Sequence, residues 1–251
     1  MTAPMLSIKG LSKSFGALQV GDNIDIDVTE GELHALIGPN GAGKTTLINQ
    51  LSGMLKSDAG TVVFRGEDIT SLNMPGRVKK GLARSFQITS ILPQFTVREN
   101  VAVAAQAGAG SSFRFFAPVA GERHLNEIAD DLLTRVGLGS RISARAGSLS
   151  HGEKRLLEIA IALATKPRLL LLDEPLAGLG QQESEASIAL LQRLKADLTI
   201  VLVEHDMDAV FALADRVSVL VNGRVLATGT PQEIQSNPGV RTAYLGDEEA
   251  A

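Results

Sequence analysis

The stretch Gly38-Pro39-Asn40-Gly41-Ala42-Gly43-Lys44-Thr45-Thr46 decides the fold, because it fits the phosphate-binding pattern G-x-x-x-x-G-K-[ST]. Its glycines let backbone N–H groups point inward at an anion that a Cβ would keep at a distance. Lys44 supplies positive charge for the outer phosphates, and Thr45 supplies a hydroxyl ligand for Mg²⁺. The sequence therefore predicts a binding site for a nucleoside triphosphate.

The residues on both sides of this loop show the pattern that the motif requires. Leu33–Ile37 before it alternates as in a strand, and Leu47, Ile48 and Leu51 after it share one face of a helix that ends at Gly53. Such a helix directs its positive end at the phosphates. The alternative is a chance glycine-rich turn, and the complete motif between strand and helix disfavours it.

Composition excludes several classes of function. The 251 residues carry a net charge of −4, whereas general nucleic-acid binders are usually basic, so no nucleic-acid partner is expected. The absence of cysteine excludes disulfides and thiolate metal sites and suits a reducing compartment. The N-terminus lacks a signal-peptide pattern, and no apolar run approaches the ~20 residues that span a bilayer. We expect a soluble protein whose membrane role requires a partner.

The rest of the chain predicts an α/β fold with a mainly parallel core sheet and an N-terminal antiparallel β subdomain, with a turn at Lys13–Gly16. From about residue 88 to 149 the pattern becomes helical, which predicts an inserted α-helical subdomain. About residues 222–251 should form a hairpin at Asn222-Gly223 followed by helices. We expect residues 1–251 to form a single domain. One predicted helical face in the insertion consists of Leu125, Ile128, Leu132 and Val136.

Two carboxylates follow the apolar run Leu169–Leu172. In parallel α/β sheets ligands lie at the carboxyl ends of strands, so Asp173 should meet the phosphate loop and hold Mg²⁺, directly or through water. Glu174 is expected to accept a proton from the attacking water. The alternative is that Glu174-Pro175 only begins a turn, and the phosphate loop upstream disfavours it.

Three further signals are weak when each is taken alone. Ser150 can cap a helix whose N-terminus, beside Gly152, would receive another face of the phosphate chain, but an ordinary N-cap explains it equally. His205 follows a strand and can be a structural histidine, and Gln87 can be any surface glutamine. Their order relative to the phosphate loop and Asp173 gives them weight.

This order of motifs resembles the ATP-binding subunits of ABC transporters over nearly the whole chain. The matching positions are an aromatic residue, the phosphate loop, a glutamine, the signature segment, the carboxylate strand and a histidine: Phe15, Gly38–Thr46, Gln87, Leu149–Glu153, Leu169–Glu174 and His205.

The resemblance implies a P-loop ATPase that binds ATP with Mg²⁺. It implies that Phe15 stacks on adenine, that Gln87 binds Mg²⁺ and links the nucleotide to a membrane partner, and that His205 acts near the γ-phosphate. It further implies that two ATP-binding subunits, identical or different, close head to tail on two ATP molecules. The signature residues Ser150, Gly152 and Glu153 of each then complete the opposite phosphate loop.

Finer features are similar to the branched-chain amino acid importer group: Arg84–Gln87, Phe95–Val101, Val203–Met207 and Asn237–Gly246. Urea importers, which share the Ser-His-Gly signature, and lipopolysaccharide exporters are alternatives. The resemblance implies two membrane permeases, a periplasmic or extracellular substrate-binding protein and a location at the cytoplasmic face of the cell membrane. The sequence departs from the family pattern at His151, Glu153 and Gly180.

Two other classes are disfavoured. A GTPase needs an Asn-Lys-x-Asp element that reads the base, and the sequence contains none. A soluble ABC ATPase of translation or DNA repair normally has two cassettes or a long hinge insertion, which this short chain lacks. In the predicted insertion, Phe113, Phe115 and Phe116 are expected to dock a membrane subunit, with packing on the insertion's own helices as the alternative.

Overall fold

The computed structural model describes residues 3–85, 91–108 and 123–248. The strands are β1 (Leu6–Phe15), β2 (Leu18–Val28), β3 (Leu33–Ile37), β4 (Ala59–Phe64), β5 (Glu67–Asp68), β6 (Leu82–Arg84), β7 (Leu169–Asp173), β8 (Thr199–Val203), β9 (Arg216–Val221) and β10 (Arg224–Gly229). The helices are α1 (Lys44–Ser52), α2 (Met74–Lys80), α3 (Val97–Gly108), α4 (Arg123–Arg135), α5 (His151–Ala164), α6 (Gln181–Lys195), α7 (Met207–Leu213), α8 (Pro231–Ser236) and α9 (Pro238–Glu248).

The larger sheet has the strand order β10-β9-β3-β8-β7-β6. Neighbours from β9 to β6 run parallel, and only β10 pairs antiparallel, through the hairpin at Asn222-Gly223. Every residue of β3, β7 and β8 is buried, as expected for strands covered on both faces. The prediction of a mainly parallel core sheet is confirmed.

The smaller sheet is antiparallel, with the order β2-β1-β4-β5. The predicted turn at Lys13–Gly16 is wrong in its bounds, because β1 continues to Phe15, which pairs with Leu18. The tight turn consists of Gly16 and Ala17, and Gly16 has φ +61°, which a glycine adopts without steric cost. The longer strand places Phe15 at the edge of the molecule.

The parallel sheet separates two apolar cores, and β7 shows the separation directly. Leu169 and Leu171 pack with α1 and the antiparallel sheet. Leu170 and Leu172 pack with α3, α4 and α5 on the other face. Since successive side chains of a strand point to opposite faces, one apolar run contributes to both cores. The nucleotide loop and the helices that follow β6 are thereby attached to the same strands.

One predicted helical face differs from the structure. Leu125 and Val136, at the two ends of the predicted face, are buried. Ile128 and Leu132, between them, are only half-buried. Ala129 and Leu133 take their place, fully buried against α3 and α5. The small Ala129 lets the helices approach closely, and a pattern read from large apolar residues gives it too little weight.

A polar chain connects β3, β9 and β10, and it is buried except at Thr228, which is exposed. His34 Nδ1 lies 2.6 Å from Glu32 Oε1, and His34 Nε2 lies 2.8 Å from Ser218 Oγ, which is 2.8 Å from Thr228 Oγ1. Burial opposes ionisation of Glu32, but hydrogen bonds from His34 and the Thr29 N–H outweigh it and lower the pKa of this carboxyl. His34 is 1% exposed and Ser218 0%. Because Glu32, His34 and Ser218 are shielded from solvent, the Ser–His–Glu arrangement is structural.

Candidate functional site

The phosphate loop connects the end of β3 to the start of α1. Gly43 is the N-cap residue of α1 with φ +102°, and no side chain caps the helix. A Cβ on Gly43 would lie 2.4 Å from Val20 O, and one on Gly38 would lie 2.1 Å from Leu220 O. Both positions therefore require glycine. The uncapped N–H groups of the first turn remain for an anion.

The side chain of Lys44 is held inside the loop. Its Nζ donates to Gly38 O at 2.6 Å and to Pro39 O at 3.0 Å. Burial lowers the pKa of Lys44, while the nearby charges of Glu174 and Asp173 oppose that shift. The ammonium is thus held by the loop carbonyls and interacts with the charges of two carboxylates, and from the loop it can contact the outer phosphates.

The loop and Glu174 border one cleft. Its lining consists of Val20, the loop residues Asn40, Gly41, Ala42, Gly43, Lys44, Thr45 and Thr46, and Glu174. The structure thus brings the loop and one of the two predicted carboxylates together from sequence positions far apart. The second carboxylate, Asp173, is the preceding residue and ends β7.

Asp173 is 1% exposed and only one of its oxygens is hydrogen-bonded within the described ranges. Oδ2 accepts from Arg84 Nη2 at 2.9 Å, whereas Oδ1 is buried without a partner there. Burial raises the pKa of Asp173, Arg84 opposes this, and the charge of Glu174 adds to it.

These residues fit a Mg²⁺ ion. Mg²⁺ takes oxygen ligands and is commonly held by one or two carboxylates together with phosphates and water. Asp173 Oδ1 is a buried oxygen without a hydrogen-bond partner in the described ranges. Thr45 is an exposed residue of the phosphate loop and lines the cleft. In the part of the chain that the structure describes, no group of three or more His, Cys, Asp or Glu side chains forms a metal site. A cation here would depend on phosphate and water for its remaining ligands.

Arg84 is a site residue that the sequence reasoning missed. It ends β6, and its guanidinium joins Asp173 on β7 to Asn49 on α1, with Nη1 2.5 Å from Asn49 Oδ1. In the sequence, Arg84 stands out only as the first residue of Arg84–Gln87, a segment similar to the branched-chain amino acid importer group. The usable signal is a pair of opposite charges, each at the end of an apolar strand, since β6 and β7 are parallel neighbours.

Glu174 lies on a strained turn directly after β7. Its φ is +48°, a left-handed conformation that costs a residue with a Cβ about 1 kcal/mol or more. Its N–H donates to Val203 O at 2.9 Å, and its C=O accepts from the Ala177 N–H at 3.2 Å. The residue therefore does begin a turn, and that turn also places its half-buried side chain in the phosphate cleft.

His205 does not lie at this cleft. Its side chain is 62% exposed, and it is not among the described residues that line the cleft. The preceding Glu204, which the sequence reasoning missed, is completely buried. Glu204 accepts the Leu176 N–H at 2.9 Å and the His205 N–H at 3.1 Å. Burial raises the pKa of Glu204, which these N–H donors oppose. The hydrogen bonds of Glu204 connect the segment after β7 to the segment after β8.

The signature residues form a helix start away from the cleft. Ser150 Oγ accepts the Glu153 N–H at 3.1 Å, and Glu153 Oε2 accepts the Ser150 N–H at 2.8 Å, which makes a capping box for α5. A Cβ on Gly152 would lie 2.6 Å from Glu183 Oε1. Ser150, Gly152 and Glu153 are not among the residues that line the cleft. Gln87 lies outside the described residues.

Phe15 presents its ring to solvent at the end of β1. The residue is 50% exposed, and Lys13 Nζ lies 5.4 Å from the ring centroid. Phe15 does not border the phosphate cleft itself, but Val20 on the adjoining strand does. The exposed ring is accessible to a nucleotide base.

We expect Phe15→Ala to weaken ATP binding by about ten- to hundredfold, because base–aromatic stacking contributes about 1–3 kcal/mol. Phe15→Tyr should bind nearly as the unaltered protein does. The measurement is a nucleotide titration, with Leu18→Ala as the matched control, since Leu18 is also exposed on the adjoining strand. Unchanged affinity in the alanine variant would show that the ring contributes nothing to binding.

Glu158 on α5 is a buried carboxyl with an unusual pKa. It is 5% exposed, and burial raises its pKa to about 7, although Arg155 Nη1 at 3.5 Å opposes the shift. An unfolded glutamate titrates near 4.5. The folded protein therefore binds more protons between these values, so this residue lowers the stability as the pH rises from about 4.5 to about 7.

We expect the stability of Glu158→Gln, relative to that of the unaltered protein, to be higher at pH 8 than at pH 5 by about 1–3 kcal/mol. The neutral amide avoids the buried charge that glutamate acquires in that range. Urea unfolding at the two pH values measures it. Glu185→Gln makes the same chemical change at an exposed position of α6 and is the matched control. Equal differences at both pH values for Glu158→Gln would contradict the expectation.

Comparisons with known proteins agree with this geometry. The family profile described as "ABC transporter" matches residues 21–177, and a profile described as "Branched-chain amino acid ATP-binding cassette transporter" matches residues 224–250. The fold and the cleft define a P-loop ATP-binding cassette, and the chain belongs to the ABC transporter family. The predictions of an ABC ATPase and of a resemblance to the branched-chain amino acid group are confirmed.

Particular relatives match over nearly their full length. The chain is 37% identical to the high-affinity branched-chain amino acid transport ATP-binding proteins BraF of Pseudomonas aeruginosa and LivG of Escherichia coli, covering 98% of this chain and 100% of each relative. The crystal structure of an ATP-binding cassette of an ABC transporter in its ADP conformation superposes with a TM-score of 0.87 at 32% identity, covering 98% of this chain and 100% of that one.

Proposed function

We propose that this chain is the ATP-hydrolysing subunit of an ABC importer that takes up branched-chain or other hydrophobic amino acids. The observation that carries the ATPase proposal is the convergence of the phosphate loop, Lys44 and Glu174 on one cleft, with Asp173 adjoining. The relatives described as branched-chain amino acid transport proteins support the substrate class. They favour amino acids over urea and lipopolysaccharide.

In this proposal each residue of the cleft has a separate role in hydrolysis. The N–H groups at the start of α1 and the Lys44 ammonium bind the phosphate oxygens. Asp173 and Thr45, with Gln87 as a further ligand, would hold Mg²⁺, which neutralises charge on the phosphates. Glu174 accepts the proton of the water whose oxygen attacks the γ-phosphorus, and ADP leaves. The proposed role of His205 is to contact the γ-phosphate in the assembled dimer.

The position of the signature segment supports a dimer. Within one chain Ser150 and its neighbours are absent from the lining of the cleft that they are expected to complete. We infer that a second ATP-binding subunit supplies them, in a head-to-tail arrangement. A related cassette, 25% identical with a TM-score of 0.77, has a solved structure described as dimeric, in a post-hydrolysis state with ADP and phosphate.

A cross-link between Asn40 and Ser150 tests this arrangement. Both residues are exposed, and the chain has no cysteine that would react in the background. Cysteines at these two positions in a Glu174→Gln protein should give a covalent dimer with a short bifunctional thiol reagent, and only when ATP is present. A denaturing gel measures it. Efficient cross-linking confined to one chain would rule out the head-to-tail dimer.

The membrane connection is also part of the proposal. Within the described ranges no helix combines the length and apolar character needed to cross a bilayer. We propose that two permeases hold the protein at the cytoplasmic face of the cell membrane and that a substrate-binding protein delivers the amino acid. Leu92 and Phe95 are exposed apolar side chains directly after residues 86–90 and are candidates for a permease contact.

The predicted helical insertion, about residues 88–149, remains the proposed docking region. The three phenylalanines assigned to it, Phe113, Phe115 and Phe116, lie outside the described residues.

A further inference from the structure

A basic pocket lies at the edge of the parallel sheet opposite the nucleotide cleft. Its lining includes five cationic side chains: Arg65, Lys79, Lys80, Lys166 and Arg168. The pocket adjoins the first residues of β6 and β7, whereas Asp173 ends β7 at the nucleotide cleft. At about 3.3 Å per residue the two ends of β7 are roughly 13 Å apart. The pocket is therefore separate from the phosphate loop.

The positive charge of this pocket is largely unpaired. Lys80 forms an ion pair with Glu67. The side chains of Arg65, Lys79, Lys166 and Arg168 make no hydrogen bond or ion pair with the residues that the structure describes. The chain as a whole is acidic, with a net charge of −4. A concave surface of one charge sign concentrates ions of the opposite sign.

These exposed cations come from three separate segments of the chain. Arg65 occupies the turn between β4 and β5 with φ +52°, and Lys166 follows α5 with φ +54°. The Arg168 N–H donates at 2.7 Å to the carbonyl of Gly81, the C-cap residue of α2. Attraction to a helix C-terminus accounts for lysines in the last turn of α2, Lys79 among them. It does not account for arginines that lie in turns and loops.

The size of the pocket limits the ligand. Its volume is about 200 Å³, below the ~300–1,000 Å³ of sites for drug-sized ligands. A compact anion with several charges matches both this volume and the fork of donors that arginine offers to phosphate oxygens.

We propose that this pocket binds a phosphate-bearing anion, either a free diphosphate or the phosphate of a lipid headgroup, independently of the nucleotide site. Cations from the α2 terminus, the β4–β5 turn and the segment before β7 would share its oxygens. Because these contacts are charge–charge contacts on an open surface, salt should weaken the binding.

The test uses inorganic pyrophosphate and lipid vesicles with the full chain saturated with ADP, so that the phosphate loop is filled. The pocket variant carries Lys79→Gln, Lys166→Gln and Arg168→Gln. The control variant carries the same change of charge at exposed positions elsewhere, Lys56→Gln, Arg193→Gln and Arg241→Gln. Calorimetry measures pyrophosphate binding, and co-sedimentation measures binding to phosphatidylglycerol–phosphatidylcholine vesicles.

We expect the pocket variant to bind one of the two probes about tenfold more weakly or worse, while the control variant binds as the unaltered protein does. Loss of pyrophosphate binding would identify a free anion, and loss of vesicle binding alone would identify a lipid headgroup. Equal binding of both probes by the two variants, or binding of neither probe by the unaltered protein, overturns the proposal. The single variant Lys166→Gln repeats the test if the triple variant melts at a lower temperature.

Discussion

Replacing Glu174 by glutamine is expected to lower ATP turnover by about 10²-fold or more while ATP still binds. Glutamine keeps the size of the side chain and the backbone turn at φ +48°, but its amide does not accept a proton from water. Hydrolysis is measured with the transport partners present, and ATP affinity is measured by titration of the isolated chain.

Two comparison variants make this result specific to Glu174. Lys44→Ala should lose ATP affinity, because it removes a buried ammonium from the phosphate loop. Glu185→Gln changes an exposed carboxylate on α6 and should alter neither quantity. Hydrolysis by Glu174→Gln at a near-normal rate would exclude Glu174 as the general base, whatever its effect on binding.

Arg84→Met should have the largest effect on stability, a loss of about 3–5 kcal/mol in the free energy of unfolding. The substitution leaves Asp173, which is 1% exposed, without its 2.9 Å ion-pair partner. A buried charge without a partner costs far more than the pair contributes when it is intact. Urea unfolding measures the loss.

The double variant Arg84→Met, Asp173→Asn provides the matched control. With both charges removed, stability should recover substantially relative to Arg84→Met alone, and the double-mutant cycle gives the coupling energy. Arg193→Met, on an exposed helix face, should change stability by only about 0.5 kcal/mol. A double variant as unstable as the single one would show that packing, and not the buried carboxylate, requires Arg84.

The features predicted correctly from the sequence depend on short stretches of chain. The phosphate loop has a fixed spacing, and its flanking strand and helix follow from local apolar periodicity. The buried run Leu169–Leu172 identifies a central strand, and the topology of parallel sheets then places the carboxylates that follow it near the loop. The N-cap at Ser150 also follows from a short stretch, Ser150–Glu153.

The features that were missed depend on contacts between distant residues. The ion pair between Arg84 and Asp173 spans 89 positions, and no local pattern specifies it. Glu204 resembles any carboxylate at a strand end until the fold buries it against Leu176. Ala129 replaces larger residues at a helix contact because close approach, not hydrophobicity alone, decides the face. The roles proposed for Ser150 and for His205 stay predictions, because one chain does not bring either to the cleft.

The polar chain from His34 to Ser218 joins residues that the ribosome synthesises at widely separated times. The two residues are 184 positions apart, and at about 5–20 residues per second roughly 10–40 s pass before the second one is made. β3, which leads into the phosphate loop, lies between β8 and β9, and both are synthesised late. Until β8 is synthesised, the nascent β3 lacks both sheet neighbours. The parallel sheet that carries the phosphate loop can therefore form only after β8 and β9 have been synthesised.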